Sequence, residues 1–415
     1  MEVVYPRCAG LDAHKDTVVA CRMRREGDGR LTKETRTFGT VTADLLALAD
    51  WLQQGEVTHV AMESTGIFWK PPYNVLAENF TVFVVNAAHI RAVPGHKTDV
   101  KDAEWIADLL AHGLLRPSFI PDRPQRELRD LTRTRTTLVD ERAREVRRVQ
   151  KVREDANLKL ASVVTDVLGA SGRATLTMLV EGTTDPTTLA ELAKGRLRSK
   201  QAELGRALVG RISDHHRLLL AIHLTQIDTL DEAIERLSQE IAVRLRPFEA
   251  EIARLDTIPG VDRKTAEVLI AEIGTDMRRF PDPAHLASWA GMCPGNHLSA
   301  GRRQKGTTRK GSKWLRRALT EAAHGAARTK QTGRTALADF CRRLTVRHGK
   351  KKAALAVGHR ILTLAYVVLE RGEPHHEPSP SDWDERRRDR ARERAIRQLK
   401  DLGYDVSVVP KQATA

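Results

Sequence analysis

Four acidic residues stand where secondary structure is expected to begin or end. Asp12 closes the apolar stretch RCAGLD, Glu63 closes VTHVAME, and Asp99 and Asp102 open a helical stretch. Residues three apart share one face of a helix, so the last two side chains point the same way. Converging carboxylates repel one another unless cations bridge them, and their hard oxygens suit Mg²⁺ or Mn²⁺. The four acids are therefore a candidate metal site, whose ions could stabilise the attacking and leaving oxygens at a phosphodiester.

Each acid taken alone has an ordinary interpretation. It could be a surface charge, and Asp99 could simply cap its helix. Asp16, Glu104 and Asp108 are nearby acids that we expect to be solvated. Only the combination of all four residues, in this order of strands and helices, favours the metal site.

A second candidate is the basic stretch 295–317, GNHLSAGRRQKGTTRKGSKWLRR, which contains no acid. Glycines in it let backbone approach a ligand closely. Ser299 precedes the charges and is either a turn or cap residue or a nucleophile, which would need a base or a field to activate it. His297 and Asp282 are too unspecific to complete a triad. The expected phosphate-binding side chains are Arg302, Arg303, Lys305, Arg309, Lys310, Lys313, Arg316 and Arg317.

The stretch 255–274, LDTIPGVDRKTAEVLIAEIG, predicts a short helix, a Pro-Gly turn and a second helix. A helix-hairpin-helix of this kind directs backbone N–H groups and a helix N-terminus at a phosphate, independently of base sequence. Gly260 supplies the turn and Lys264 adds charge. The alternative is an ordinary pair of antiparallel helices joined by a glycine turn. The basic surroundings favour DNA binding.

Composition supports a polyanionic partner. The 415 residues carry a formal net charge of +15, and 41% of them are hydrophobic, as in a globular protein with two or three domains. Only 4% are aromatic, which argues against base stacking as the main binding device. A membrane partner is not expected, because the apolar run 361–369 is short and the N-terminus has no signal-peptide pattern. The four cysteines read as reduced thiols of a cytoplasmic, nucleoid-associated protein.

Residues 1–122 alternate strand and helix signals in the order βββαβαβα, with a short helix expected after the prolines of GIFWKPPYNVL. This order is that of the ribonuclease-H-like fold; a generic α/β domain is the alternative. Residues 251–372 predict a compact, basic, helical domain, and residues 373–415 a charged tail after a linker.

Residues 123–250 predict a helical or coiled-coil region. Its first long helix has a narrow apolar seam among dense charges. The seam consists of Leu128, Leu131, Leu138, Val146, Val149 and Val152. Two interpretations stay open at this point: a dimerisation arm, or a helical spacer that packs on its own chain.

Several of these stretches together resemble one family. They are GLDAHKDT, ESTGIFWKP, NAAHIRAVPGHKTDVKDAEWIADLLAHGLL, IPGVDRKTAEVLIAEIG and ASWAGMCPGNHLSAGRRQKGTTRKGSKWLRRALTEAA. In them the chain resembles the DEDD transposases of the insertion-sequence family numbered one-hundred-ten, which are relatives of Piv-type DNA invertases. The resemblance covers residues 5 to about 370, and the two longest stretches are specific in combination.

This resemblance implies an N-terminal RuvC-like domain, of the ribonuclease-H-like fold, whose DEDD site falls on Asp12, Glu63, Asp99 and Asp102. It implies a catalytic serine in a Ser-Ala-Gly context, which falls on Ser299 rather than on Ser288 or Ser312. It also implies a structured non-coding guide RNA that pairs with target and donor DNA. Composition and spacing say nothing of that RNA.

We therefore expect a DNA recombinase that excises and inserts its own mobile element. Ser299 would form a phosphoserine–DNA intermediate with Mg²⁺ or Mn²⁺ on the four carboxylates. Double-stranded DNA, the guide RNA and further copies of the chain, in a dimer or tetramer, would be its partners. The alternatives are a metal-dependent resolvase or nuclease that uses water, and a non-catalytic nucleic-acid-binding regulator.

Overall fold

The computed structural model describes most of the chain. The described residues are 2–25, 30–64, 66–87, 90, 100–294, 298–299, 302–303, 308, 311–328, 335–377 and 380–407. The chain divides into two compact units, Met1–Pro121 and Asp122–Ala415. The first contains a five-stranded sheet and the second is mostly helical.

The first unit is mixed α/β, and its described elements follow the predicted order βββαβαβα. The strands are β1 Arg7–Ala13, β2 Thr17–Arg25, β3 Leu31–Gly39, β4 His59–Glu63 and β5 Thr81–Val85. The helices are α1 Thr42–Gln54, α2 Lys70–Leu76 and α3 Val100–Ala111. The sheet order is β3-β2-β1-β4-β5. The first three strands form an antiparallel meander, while β1, β4 and β5 run parallel to one another.

The sheet has a helical layer on each face because its central strands are apolar on both sides. Leu11 and Met62 belong to the buried cluster that α1 and α2 complete on one face. Cys8 and Ala61 belong to the cluster that α3 completes on the other face. Side chains alternate along a strand, so each further residue of β1 and β4 can be assigned to one of these faces.

The helix α2 begins earlier than predicted. We expected it after the two prolines, but it starts at Lys70 and contains Pro71 and Pro72 in its first turn. The first backbone N–H groups of a helix have no intrahelical partner, so proline costs nothing there and its fixed φ suits the helix. The prolines therefore begin this helix rather than precede it.

The second unit contains two long helices that pack along each other, α4 Arg123–Asp155 and α8 Asp214–Leu245. Between them lie α5 Ala170–Val180, α6 Pro186–Glu191 and α7 Gln201–Ala207. Val149 and Val152 of the predicted seam are buried in one cluster with Leu220 and Leu224 of α8. This end of the seam thus packs within the chain, as the spacer interpretation requires. The oligomeric state stays a prediction.

The rest of the second unit is a helical bundle. Its helices are α9 Glu249–Asp256, α10 Arg263–Ile273, α11 Pro283–Trp289, α12 Lys313–Arg328, α13 Ala336–His348, α14 Lys350–Arg371 and α15 Pro380–Asp401. A two-stranded hairpin, β6 Leu298–Ser299 and β7 Arg302–Arg303, lies between α11 and α12 in the chain.

One helix in the described part of the chain, α14, has the length and composition of a membrane span. The sequence pattern had suggested only the shorter run 361–369. Half of the apolar window of α14 is buried inside the protein, where α14 contacts α11, α12 and α13. Such burial is typical of the central helix of a bundle. The single apolar helix α14 is therefore only weak evidence for a membrane span.

Candidate active site

Asp12 and Glu63 lie side by side at the carboxyl ends of two adjacent parallel strands. Leu11 of β1 is paired with Met62 of β4, so the next residue of each strand is Asp12 and Glu63. Neighbouring strands are about 4.8 Å apart. By strand alternation both side chains share the face of Cys8 and Ala61, which is the face that α3 covers. The sheet therefore brings these two predicted ligands together.

Asp102 lies in the first turn of α3, and α3 crosses that face at Gly10. A methyl group at position 10 would lie 2.2 Å from the Ala103 carbonyl oxygen and 2.3 Å from the Ala107 nitrogen. Only glycine allows helix and strand backbones to approach so closely. The crossing point is adjacent to Asp102 on the helix and two residues before Asp12 on the strand. Asp99, the fourth predicted ligand, lies outside the described residues.

The chemistry of this donor set fits a hard divalent cation. Carboxylate oxygens on one sheet face and on the helix above it are the ligands that Mg²⁺ and Mn²⁺ prefer. No group of three or more Asp, Glu, His or Cys side chains that could hold a metal occurs within the described ranges. Asp12, Glu63 and Asp102 thus do not form such a group by themselves, and Asp99 stays the predicted fourth ligand.

His14 is a contact of this site that the sequence interpretation missed. Its Nε2 lies 3.0 Å from Oδ2 of Asp12, whose side chain is 17% exposed. A histidine two residues beyond a strand-end aspartate shares its side of an extended chain, so alternation could have indicated this pair. Of the three rival acids, Asp16 is exposed as expected, whereas Glu104 and Asp108 are half-buried on α3.

Ser299 lies on a β-hairpin, not in an irregular loop. Ser299 pairs with Arg302 and Leu298 with Arg303 in antiparallel register, and Pro294 forms a bridge with Thr308. Ser299 and Arg302 therefore form the innermost described pair of the hairpin. Ala300 and Gly301, which follow Ser299, and His297, which was set aside as a triad residue, lie outside the described residues.

The base of this hairpin is closed by tight contacts. A Cβ on Gly311 would lie 2.3 Å from the carbonyl oxygen of Ala290, so the chains entering and leaving the hairpin touch backbone to backbone. The Arg316 guanidinium donates a 2.9 Å hydrogen bond to the Gly291 carbonyl. The Ser312 hydroxyl accepts from the Leu315 N–H at 3.2 Å and caps α12. Ser312, one of the alternatives to Ser299, therefore has a structural role.

A buried ion pair supports that cap. Glu272 of α10 is 1% exposed and binds the Arg133 guanidinium through both carboxylate oxygens, at 2.7 and 2.9 Å. It also accepts a 3.0 Å hydrogen bond from the Ser312 hydroxyl. Arg129, buried beside it, donates to the carbonyls of Ala271 and Glu272, and burial lowers its pKa to about 10. This network joins α4, α10 and the start of α12, and nothing local in the sequence indicated it.

The structure describes the side chains of only some of the predicted cations in the basic stretch. Lys305, Arg309 and Lys310 lie outside the described residues, and only the backbone of Arg302 and Arg303 is described.

Three cations on α12 have neighbours within the protein. Arg317 pairs with Asp140 and, at 2.8 Å, with Glu321. Arg316 binds the Gly291 carbonyl, and the Lys313 ammonium lies 4.8 Å from the centre of the Trp314 ring. Arg316 and Arg317 are therefore less available to phosphate than their sequence suggested.

The Pro-Gly turn has the predicted helix–turn–helix shape, with α9 and α10 on either side. Gly260 adopts φ +87°, and a Cβ there would lie 2.3 Å from the Ala322 carbonyl oxygen, so the turn packs on α12. Asp262 caps α10 by accepting from the Thr265 N–H at 2.8 Å. Burial alone would raise the pKa of Asp262, but the hydrogen bonds from Thr265 lower it. The Asp262 carboxylate thus already binds the N-terminus of α10. Exposed Lys264 is the remaining predicted group of this turn that could bind a phosphate.

Two features now define the class of protein: strand-end carboxylates in an α/β unit, and a basic helical unit with a serine-bearing hairpin. Residues 9–156 match a DEDD transposase family of the IS110 group, described as transposase. Residues 252–338 match the family described as Transposase IS116/IS110/IS902. Both descriptions are of IS110 transposases, and the two matches together include more than half of the chain. The chain therefore belongs to the IS110 family of transposases.

Individual relatives agree with the family match. The chain is 29% identical over 265 residues, 58% of its length, to the Insertion element IS110 uncharacterized 43.6 kDa protein of Streptomyces coelicolor. It is 34% identical over 124 residues, 29% of its length, to the Pilin gene-inverting protein of Moraxella bovis. A Putative transposase y4pF/y4sB of Sinorhizobium fredii is 29% identical over 154 residues, 37% of the chain. These matches span 64%, 37% and 38% of the respective relatives.

Proposed function

We propose that the protein is a transposase that cuts and rejoins DNA at the ends of a mobile element. The observation that carries this proposal is that Asp12 and Glu63 directly follow the paired residues Leu11 and Met62 on adjacent parallel strands. Membership of the transposase family, the net charge of +15 and the basic hairpin segment support it. The double-stranded DNA of the element ends and the target would be its substrate.

We assign the parts of the chain accordingly. Residues 1–122 would form a RuvC-like domain, a proposal that the sheet order β3-β2-β1-β4-β5 supports. Residues 123–250 would be the helical or coiled-coil region and residues 251–372 the transposase domain with the serine. Residues 373–415 would form a charged tail.

Asp12, Glu63, Asp99 and Asp102 would hold Mg²⁺ or Mn²⁺. Such ions, when bound, polarise the scissile phosphate and favour the ionised form of an attacking hydroxyl. The protein's own contribution is to fix carboxylates at the edge of a rigid sheet, with α3 held against β1 at Gly10. His14, which contacts Asp12, would hold that carboxylate in one orientation.

Ser299 would be the nucleophile. Its oxygen would form a bond to the scissile phosphorus while the phosphorus–3′-oxygen bond breaks; Ser299 gives up a proton and the leaving 3′-oxygen gains one. The 3′-hydroxyl of a partner strand would then attack the phosphoserine, release the serine and return its proton. Each bond broken is replaced by a phosphoester bond, so the exchange needs no ATP.

We further propose that a structured non-coding RNA guides the choice of DNA and that the chain acts as a homo-oligomer. The family resemblance supports both statements. The large positive charge supports the first, because one basic protein would have to hold RNA and DNA together.

The deciding experiment compares Ser299→Ala with Ser288→Ala on DNA that carries the joined element ends, with RNA transcribed from the element's non-coding flank. We expect the wild type and Ser288→Ala to leave a covalent protein–DNA adduct on a denaturing gel, and mass spectrometry to place it on Ser299. Ser299→Ala should form no adduct and cut no strand while binding DNA as before.

Two outcomes would favour the alternatives. Strand cleavage by Ser299→Ala without an adduct would indicate a nuclease or resolvase that uses water. DNA binding without any metal-dependent cleavage, and unchanged behaviour of Asp12→Asn, would indicate a nucleic-acid-binding regulator.

A further inference from the structure

An exposed apolar pair lies next to the carboxylate edge of the sheet. Ile67 is 67% exposed and Phe68 is 36% exposed, four and five residues after Glu63. Among the described residues they are the only exposed large hydrophobic side chains adjacent in the chain. Neither the metal site nor the serine chemistry uses them. We call these two residues the apolar turn.

The apolar turn is held in place on both sides. Before it, the Ser64 N–H donates a 2.8 Å hydrogen bond to the Val85 carbonyl, which fixes the chain to β5. Gly66 adopts φ +57°, which lets the chain reverse sharply. After it, Trp69 packs into the core on Tyr73, with ring centres 5.6 Å apart.

Within the turn, the Lys70 N–H donates to the Ile67 carbonyl at 3.1 Å. Trp69 therefore takes the inward position, while Ile67 and Phe68 are directed to solvent at the edge where β1 and β4 end. Because contacts anchor both flanks, the fold of the first unit itself exposes Ile67 and Phe68.

We propose that the apolar turn binds an unpaired DNA base next to the scissile phosphate, with Phe68 stacking on the base and Ile67 filling the gap in the strand. This inference rests on the proposed transposase function. Strand exchange requires base pairs to open, which leaves single bases that can leave the stack. Apolar side chains inserted at a base step, and aromatic rings that stack on free bases, stabilise such states. The low aromatic content argues against stacking along an extended surface, but not against one ring at the reaction edge.

The test measures the preference of the full-length protein, loaded with RNA from the element's non-coding flank, for DNA with a short unpaired bubble over the same duplex fully paired. Calcium replaces magnesium so that binding can be separated from cutting. Loss of one stacked base corresponds to roughly a 5- to 150-fold change in affinity. We expect the wild type to prefer the bubble by a factor in this range. Phe68→Ala and Ile67→Ala should lose most of that preference with duplex affinity unchanged.

Leu46→Ala is the matched control, since Leu46 is 53% exposed on α1, which packs on the face of the sheet opposite to the Asp12 and Glu63 side chains. It should keep the preference, and all three variants should unfold at the wild-type temperature. Equal wild-type affinity for both DNAs, a preference retained by Phe68→Ala, or a preference for an RNA bubble alone would overturn the inference. If Ser299-dependent cutting persists in that case, the proposed function stands without it. Failure of the wild type to bind either DNA would overturn both.

Discussion

The ion pair between Arg133 and Glu272 predicts a large and asymmetric response to mutation. Removing the Arg133 guanidinium by Arg133→Met leaves a buried carboxylate with the Ser312 hydroxyl and the charge of nearby Arg129. Breaking a buried pair in this way costs about 3–5 kcal/mol. Arg133 is one-third exposed and Arg129 compensates in part, so we expect the lower end, about 3 kcal/mol.

Glu272→Gln should cost less, about 1–2 kcal/mol. It removes the charge that burial penalises, while the partly exposed Arg133 can still be solvated. The double variant should be no less stable than Arg133→Met alone, because the unpaired carboxylate that dominates the single variant is gone.

The assay is hydrogen exchange of the α10 amides followed by mass spectrometry, which reports the free energy of local opening. Arg123→Met is the control on the same helix, since the exposed pair with Glu127 should contribute at most about 0.5 kcal/mol. If Arg133→Met and Arg123→Met changed α10 exchange equally, or if the two effects at Arg133 and Glu272 simply added, the proposed buried coupling would be wrong. A Ser299 adduct formed more slowly by Arg133→Met, with unchanged DNA affinity, would extend the coupling to the hairpin.

Three further predictions follow from single contacts. Gly10→Ala places a methyl group against the α3 backbone and should destabilise the first unit by about 3 kcal/mol or more, measured by urea unfolding; Gly39→Ala, which meets only the Asp44 side chain, should cost less. Asp262→Ala should cost about 1 kcal/mol as a lost cap. Because the pKa of Asp262 is lowered in the fold, this contribution is full above its unfolded pKa and disappears as pH falls through the folded pKa, so wild type and variant should converge in acid. Val149→Ala should lower the unfolding midpoint of the second unit by a cavity cost of about 2 kcal/mol. Light scattering should then show whether disrupting the Leu128–Val152 seam changes the oligomer, and an unchanged oligomer would contradict the dimerisation arm.

The sheet was predictable because its signals are local. Alternating and β-branched runs predicted all five strands and placed Asp12 and Glu63 at strand ends, and parallel pairing then brings those ends together. The start of α2 was misplaced because proline breaks a helix interior but not its first turn. The hairpin around Ser299 was missed because Ala-Gly is not among the strong two-residue turn signals, and because clustered charges mask the strand pattern.

The contacts that hold the basic segment could be predicted only in part. Glu321 follows Arg317 by four residues on one helix, so that pair was visible in the sequence. Asp140 is 177 residues from Arg317, and Glu272 is 139 residues from Arg133, so those pairs depend on how helices pack. Arg316 and Arg317 of α12 thus have partners within the protein, and their binding to DNA stays a prediction.

The closed base of the hairpin has a consequence for how tightly its interior can hold a ligand. Gly311 against Ala290 and Arg316 on Gly291 join the two ends of a segment of about twenty residues. Joining the ends of a free chain of that length costs about 2.7 kcal/mol in loop entropy. Folding of the helical bundle meets this cost before any DNA arrives. A linear peptide of the same residues would have to meet it on binding, so it should bind DNA roughly a hundredfold more weakly than a version cyclised at the same two positions.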